Sequence, residues 1–144
     1  MKYVLSLFFA LCLAFSSSAK TNEIGDNVDV THYEIHLNKI DFADRTLDAV
    51  TTITLTAKEE ISVLDLELKS LAVTSVSCNI SDVNNFSQND DILTINFASA
   101  ITSGTEFSVT VNYGGETFNE NWGGIHWSND YVYNLGVGFD SQPH

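Results

Sequence analysis

Apolar and polar residues alternate along most of this chain, in short segments rich in β-branched side chains and separated by polar or glycine-bearing turns. That period of two predicts strands with one buried and one wet face. In the first strand Tyr33, Ile35 and Leu37 point one way and His32, Glu34 and His36 the other, so the first trio is expected in the core. The second runs from about Leu47 to Ala57, with Leu47, Ala49, Ile53 and Leu55 in phase and threonine on the opposite face. Asp44-Arg45 between them reads as a hairpin turn. A third strand is predicted over Ile61 to Leu68 and a fourth over Leu71 to Ile80. Ser81 to Asp91, with Asn84-Asn85 and Asn89-Asp90-Asp91, shows no period and is predicted to be a loop. Further strands are expected at Ile92 to Phe97 and, after a turn at Gly104, through Phe107, Val109, Val111 and Tyr113 to Gly114-Gly115.

No sustained helical period occurs outside the N-terminal apolar run, and the only proline is Pro143, so nothing marks an internal boundary or stiff linker. Six or seven antiparallel strands at this spacing predict an all-β fold, an antiparallel β-sandwich with two sheets about 10 Å apart. The run after Gly115 adds one or two strands at most, their limits blurred by glycine.

The N-terminal run itself predicts export. Lys2, the apolar stretch Tyr3 to Phe15 and the small residues Ser16-Ser17-Ser18-Ala19 have the three regions of a secretory signal, with cleavage expected after Ala19. The stretch is too short for a permanent membrane span. Leu11 before Cys12 does not suit a lipoprotein signal. The expected organisation is therefore a signal peptide at 1–19 and one domain at 20–144, secreted or periplasmic, without a membrane anchor. The full chain carries a formal charge of −13, and loss of the leader removes a lysine and no acid. Such acidity argues against nucleic acid or an anionic membrane as partner.

Candidate chemistry is sparse. Cys78 is the only cysteine beyond the leader and alternates with Val76 and Ile80, as a buried strand thiol does. His32 and His36 would be about 13 Å apart along a strand, too far to share a metal. No His-Glu-x-x-His, Gly-x-Ser-x-Gly, phosphate-binding glycine loop or Cys-x-x-Cys occurs, and Asp26, Asp29, Asp90 and Asp91 lack the spacing of a calcium loop. Asn79 and Asn85 head glycosylation sequons, relevant in a eukaryotic source. No catalytic residue, metal ligand or resident cofactor is expected in this chain.

The C-terminal run concentrates aromatic surface at Trp122, Trp127, Tyr131, Tyr133 and Phe139, and the chain ends at Ser141-Gln142-Pro143-His144 without a cap or polar tail. Such a chain reads as cut before a following domain, with Trp122, Trp127, Tyr131 and Phe139 as candidates for the domain interface.

The order of segments from about Val30 resembles the N-terminal domain of the aminopeptidase N type of zinc metallopeptidase. Tyr33-Glu34-Ile35-His36-Leu37 is similar to that family's opening strand, Thr46 to Thr56 to its second, and Leu64 to Leu68 with Leu71 to Val76 to the pair that follows. The closing series is more specific: Val109-Thr110-Val111-Asn112-Tyr113-Gly114-Gly115, then Gly124-Ile125-His126-Trp127-Ser128, then Phe139-Asp140. The family has tyrosine where His126 stands, glutamine where Gly138 stands and glutamate where Asp140 stands.

The resemblance implies a saddle-like non-catalytic β domain of an exported aminopeptidase, with zinc held only by the parent enzyme's catalytic domain. That missing domain is the implied partner, and peptide is the substrate only in the intact enzyme. The family's glutamate holds the substrate's α-amine, which makes Asp140 a candidate substrate contact with a shorter reach. The alternative is a freestanding exported β-sandwich module that binds a glycan or a protein.

Overall fold

The computed structural model describes residues 24–120 and 123–134. The signal peptide, Trp122, Phe139 and Asp140 lie outside the described residues. Among the described residues there are ten strands and no helix: β1 (Val28–Asp41), β2 (Thr46–Ala57), β3 (Ile61–Glu67), β4 (Ala72–Cys78), β5 (Val83–Asn89), β6 (Ile92–Ile101), β7 (Glu106–Glu116), β8 (Asn119–Glu120), β9 (Gly123–Trp127) and β10 (Val132–Asn134).

They form three antiparallel sheets, ordered β1-β2-β7-β4, β3-β6-β5 and β10-β9-β8. The first two face each other. Ile53, Leu55 and Ala57 of β2 and Phe107, Val109 and Val111 of β7 pack in one buried cluster with Ile61 and Leu64 of β3 and Leu93, Ile95, Phe97 and Ile101 of β6. Alternate residues of β2 and β7 thus supply one half of the core. The β-sandwich expected from the alternation is observed. The third, small sheet lies at one end, where Ile125 packs against a second cluster of Leu47, Ala49 and Leu71.

Three expectations are corrected. The segment read as a loop, Ser81 to Asp91, contains β5, which pairs with β6 from Val83 opposite Phe97 to Asn89 opposite Ile92. A register shift between Val83 and Asn85 breaks the period, so the inward Val83 and Phe86 fall three apart. Asn89 and Ile92 are joined by Asp90 and Asp91, both with positive φ (47° and 67°), the geometry of a tight two-residue hairpin. Cys78 is half-buried against the main cluster, and Ile80 lies exposed beyond the strand.

The third correction concerns β1. Tyr33, Ile35 and Leu37 pair with Ile53, Thr51 and Ala49, all buried, so they do stand on the inner face. They are nevertheless 55%, 59% and 58% exposed. The first sheet is a strand wider than the second, and only Val28 of β1 joins the main cluster.

Two local devices fix this strand. At its end the Asp41 carboxylate accepts from the backbone N–H groups of Ala43 and Asp44, and Arg45 takes the left-handed conformation (φ 54°) that closes the turn to β2. Bulges leave Thr31 and Asn38 outside the register, each bending the strand and shifting its side-chain phase by one.

Candidate functional site: an open apolar face

The uncovered inner face of β1 continues into two grooves. One, of about 200 Å³, is walled by Tyr33, Ile35, Leu66, Leu68, Val111 and Tyr113. The other, about 350 Å³, lies between Ile35, Leu37 and Ile40 of β1, Leu47 and Leu71 below, and Ile125, Trp127, Val132 and Tyr133 of the small sheet. Ile35 and Tyr113 border both. The Tyr113 hydroxyl lies 2.8 Å from Thr51 Oγ1, which pairs the most enclosed polar group of this region.

The small sheet is anchored as a unit. Ile125 N–H donates to the Phe118 carbonyl at 2.8 Å, and Ser128 N–H to that of Tyr131 at 2.8 Å. Gly124 has φ +76°, and a Cβ there would run into the Phe118 carbonyl oxygen, so only glycine fits. Trp127 donates its indole N–H to Thr117 Oγ1 at 2.7 Å and stands edge-on to Phe42, with ring centroids 5.4 Å apart. It is half-buried, one wall of the groove resting against the β1–β2 turn. Tyr131 and Tyr133 are 59% and 45% exposed. Tyr133 stacks on His126 at 5.2 Å and stands 6.0 Å from Tyr131, while His126 Nε2 is 3.0 Å from the Gly123 carbonyl. Lys69 places its ammonium 3.8 Å over the Phe118 ring, a favourable cation–π geometry.

Of the sequence-derived candidates, the fold brings Trp127 and Tyr131 to this end of the molecule. The β1 residues were missed, because an alternating strand is indistinguishable in sequence from one whose inner face is covered. Only its position at the sheet edge separates the two. His36 and Glu34 form an exposed pair 2.9 Å apart on the outer face. Among the described residues no three His, Cys, Asp or Glu side chains assemble into a group that could hold a metal ion.

The fold has solved counterparts. An M1 zinc metallopeptidase variant from Deinococcus radiodurans superimposes with a TM-score of 0.64 at 22% identity, over 78% of this chain and 27% of that one. A variant from the same organism bound to a Tyr-Ser-Ala substrate gives 0.59 at 22% identity, over 68% and 23%. A two-domain M1 zinc metallopeptidase variant bound to L-arginine gives 0.63 at 22%, over 77% and 27%. At that identity the likeness is one of fold, and the chain spans about a quarter of the length of these structures. No curated protein matches it. A family model does: the Peptidase M1 N-terminal domain covers residues 29–138, and the chain belongs to that family.

Proposed function

We propose that this chain is the non-catalytic N-terminal domain of an exported zinc-dependent aminopeptidase, which supports the catalytic domain of the same polypeptide. The observation that carries this reading is the open apolar face of β1 with the 350 Å³ groove beside it, on a domain of the M1 family. Ile35, Leu37, Ile40 and Tyr133 expose large apolar surface along one rim of this groove. Contiguous surface of this kind marks a face that another body covers. In this reading the catalytic domain holds the zinc and the chain itself turns over no aminoacyl substrate. Asp140 then contributes a carboxylate toward the substrate's free amine, because a carboxylate favours an unblocked, protonated N-terminus.

Export in this reading rests on the leader at 1–19, and N-terminal sequencing of the exported product should begin at Lys20. The decisive check is the DNA beyond His144. It should encode His-Glu-x-x-His followed by a distant glutamate, a pattern whose two histidines and distant glutamate would hold the zinc in the proposed parent. A stop codon followed by an unrelated gene would count against the reading.

A second reading is favoured by one feature, the exposed ring series of His126, Tyr133 and Tyr131. In a freestanding binding module these rings would stack on a glycan or grip a protein strand. Calorimetric titration with glycans separates the readings: saturable heat that is lost on Tyr133→Ala supports the module, and its absence supports the domain.

A further inference from the structure

β1 is an edge strand of its sheet. Among the described residues β2 alone pairs with it, so half of its backbone N–H and C=O groups face away from any strand. Such an edge is a template for another strand. Fourteen residues long and without proline, β1 has neither the shortness nor the proline that blunts many edges. Its two bulges, at Thr31 and Asn38, bracket an uninterrupted register from His32 to Leu37.

The same bulges give the edge a symmetry. By shifting the phase twice they bring Val30, Tyr33, Ile35, Leu37 and Ile40 all to the inner face, where their β2 partners are the buried Leu55, Ile53, Thr51, Ala49 and Leu47. All five are exposed on β1, and they are spaced symmetrically about Ile35. Two copies of the strand laid antiparallel with Ile35 opposite Ile35 set Tyr33 against Leu37. Beyond the bulges, Val30 and Ile40 approach one another in the same way. On the outer face this register sets Glu34 opposite His36 of the second copy. Moving the centre by one residue toward the N-terminus instead sets Glu34 against Glu34, and moving it toward the C-terminus sets His36 against His36. Like charges directly opposite are unfavourable, which disfavours the Glu34-centred register. Of the three, only the Ile35-centred one places a Glu34 carboxylate opposite the His36 ring, the two groups that already hydrogen-bond within one copy.

We propose that β1 pairs with β1 of a second copy of this chain, joining two four-stranded sheets across a two-fold axis at Ile35. A two-fold contact requires a surface complementary to itself, and this edge meets that requirement in its apolar pattern and in the placing of Glu34 opposite His36. The pairing lies in the plane of the sheet and leaves the groove open, so it stands apart from the reading given above. The chain's net charge of −13 opposes association at a distance, but salt near 0.1 M screens charges beyond about 10 Å.

Sedimentation equilibrium of the exported chain at physiological salt tests the proposal. A reversible dimer is expected. Ile35→Lys sets two ammonium groups face to face at the axis and should give a monomer with an unchanged far-UV spectrum. Glu34→Lys, on the exposed outer face, should weaken the dimer about tenfold, and adding His36→Glu should restore it. Should Ile35→Lys fail to fold, the Glu34 series decides. The proposal is overturned by a monomer at every concentration, including one that takes up a metallopeptidase domain along this edge instead. It is also overturned by a dimer indifferent to Ile35→Lys, which would place the contact on the aromatic face of β9 and β10, or by failure of the double substitution to restore pairing.

Discussion

Tyr113→Phe isolates one oxygen at the junction of both apolar clusters. Tyr113 packs against the main core and against the smaller one, and its hydroxyl lies 2.8 Å from Thr51 Oγ1. Thr51 is only 7% exposed and is the buried polar side chain among the described residues. Removing the phenol oxygen keeps the ring, so no cavity is opened, but it leaves the Thr51 hydroxyl without its partner. An unmade bond to a buried hydroxyl costs about 1–2 kcal/mol. The reverse change, Thr51→Val, leaves the half-buried Tyr113 hydroxyl within reach of water and should cost less, about 0.5 kcal/mol. Combining them removes both partners, so the double variant should be more stable than the sum predicts, with a coupling of about 1 kcal/mol. Urea unfolding followed by tryptophan fluorescence reads all four proteins. With a slope of roughly 1–2 kcal/mol/M, Tyr113→Phe should lower the midpoint by about 1 M without changing the slope. A Tyr113→Phe protein within about 0.3 kcal/mol of the parent, or strict additivity of the two changes, would refute the assignment of this pair as a stabilising link.

Two further outcomes are expected. Gly124→Ala forces an alanine into φ +76° with its Cβ against the Phe118 carbonyl, a strain of about 1–3 kcal/mol. Amide exchange should accelerate at Ile125 and through β9 while β2, β6 and β7 keep their protection, and global unfolding with the local change would contradict this. At the β1–β2 turn the Asp41 carboxyl is held below the ordinary carboxylate range by its hydrogen bond from Lys39, 3.0 Å away, and then by the backbone N–H groups of Asp44 and Ala43. A depressed folded value means this contribution is present above the unfolded pKa of ~3.9 and is lost as pH falls through the folded one. An NMR titration of the Asp41 carboxyl should therefore show a midpoint below ~3.9. Asp41→Asn should remove that part of the acid sensitivity, and a midpoint at or above the ordinary value would exclude the interaction.

Where the chain alternates strictly, as in Leu47 to Ala57 and Phe107 to Tyr113, the period alone locates the core strands, because one face of each is buried by a facing sheet. β5 escaped for a physical reason. A bulge near Val83 broke its period, and its remaining inward position is Gln88. Its side-chain amide accepts from Val73 N–H and donates to the carbonyls of Leu68 and Leu71, so a polar side chain there joins the edge of one sheet to the start of β4 in the other. The inward direction of Tyr33, Ile35 and Leu37 could be read from sequence, but their exposure could not. Exposure depends on how many strands face them, a property of the whole topology. The aromatic wealth of the last turns was visible early, and the structure assigns its described members different tasks. Trp127 is engaged by Thr117 and Phe42, whereas Tyr131 and Tyr133 present their rings to solvent.

The open edge and the open face of β1 are separate deficits, and one partner need not remedy both. A strand added in the plane of the sheet satisfies backbone groups along the edge, yet it lies beside the inner side chains, not over them. A body placed over the sheet covers Leu37, Ile40 and Ile125, yet it supplies no donors or acceptors to the strand beneath. The two bulges bear on both. Without them Val30 and Ile40 would turn to the outer face beside His32, Glu34 and His36, and the inner stripe would shrink to three residues. Placing one apolar stripe along the full length of an uncovered strand exposes surface that water disfavours. Ile40→Ser keeps the backbone register, shortens the stripe by one residue at the groove end and should reduce binding of any body that sits there. The Ile35-centred edge register, bounded by Leu37, would be left intact. An Ile40→Ser chain that lost self-association but kept the groove partner would show that the assignment of edge and face to different partners is inverted.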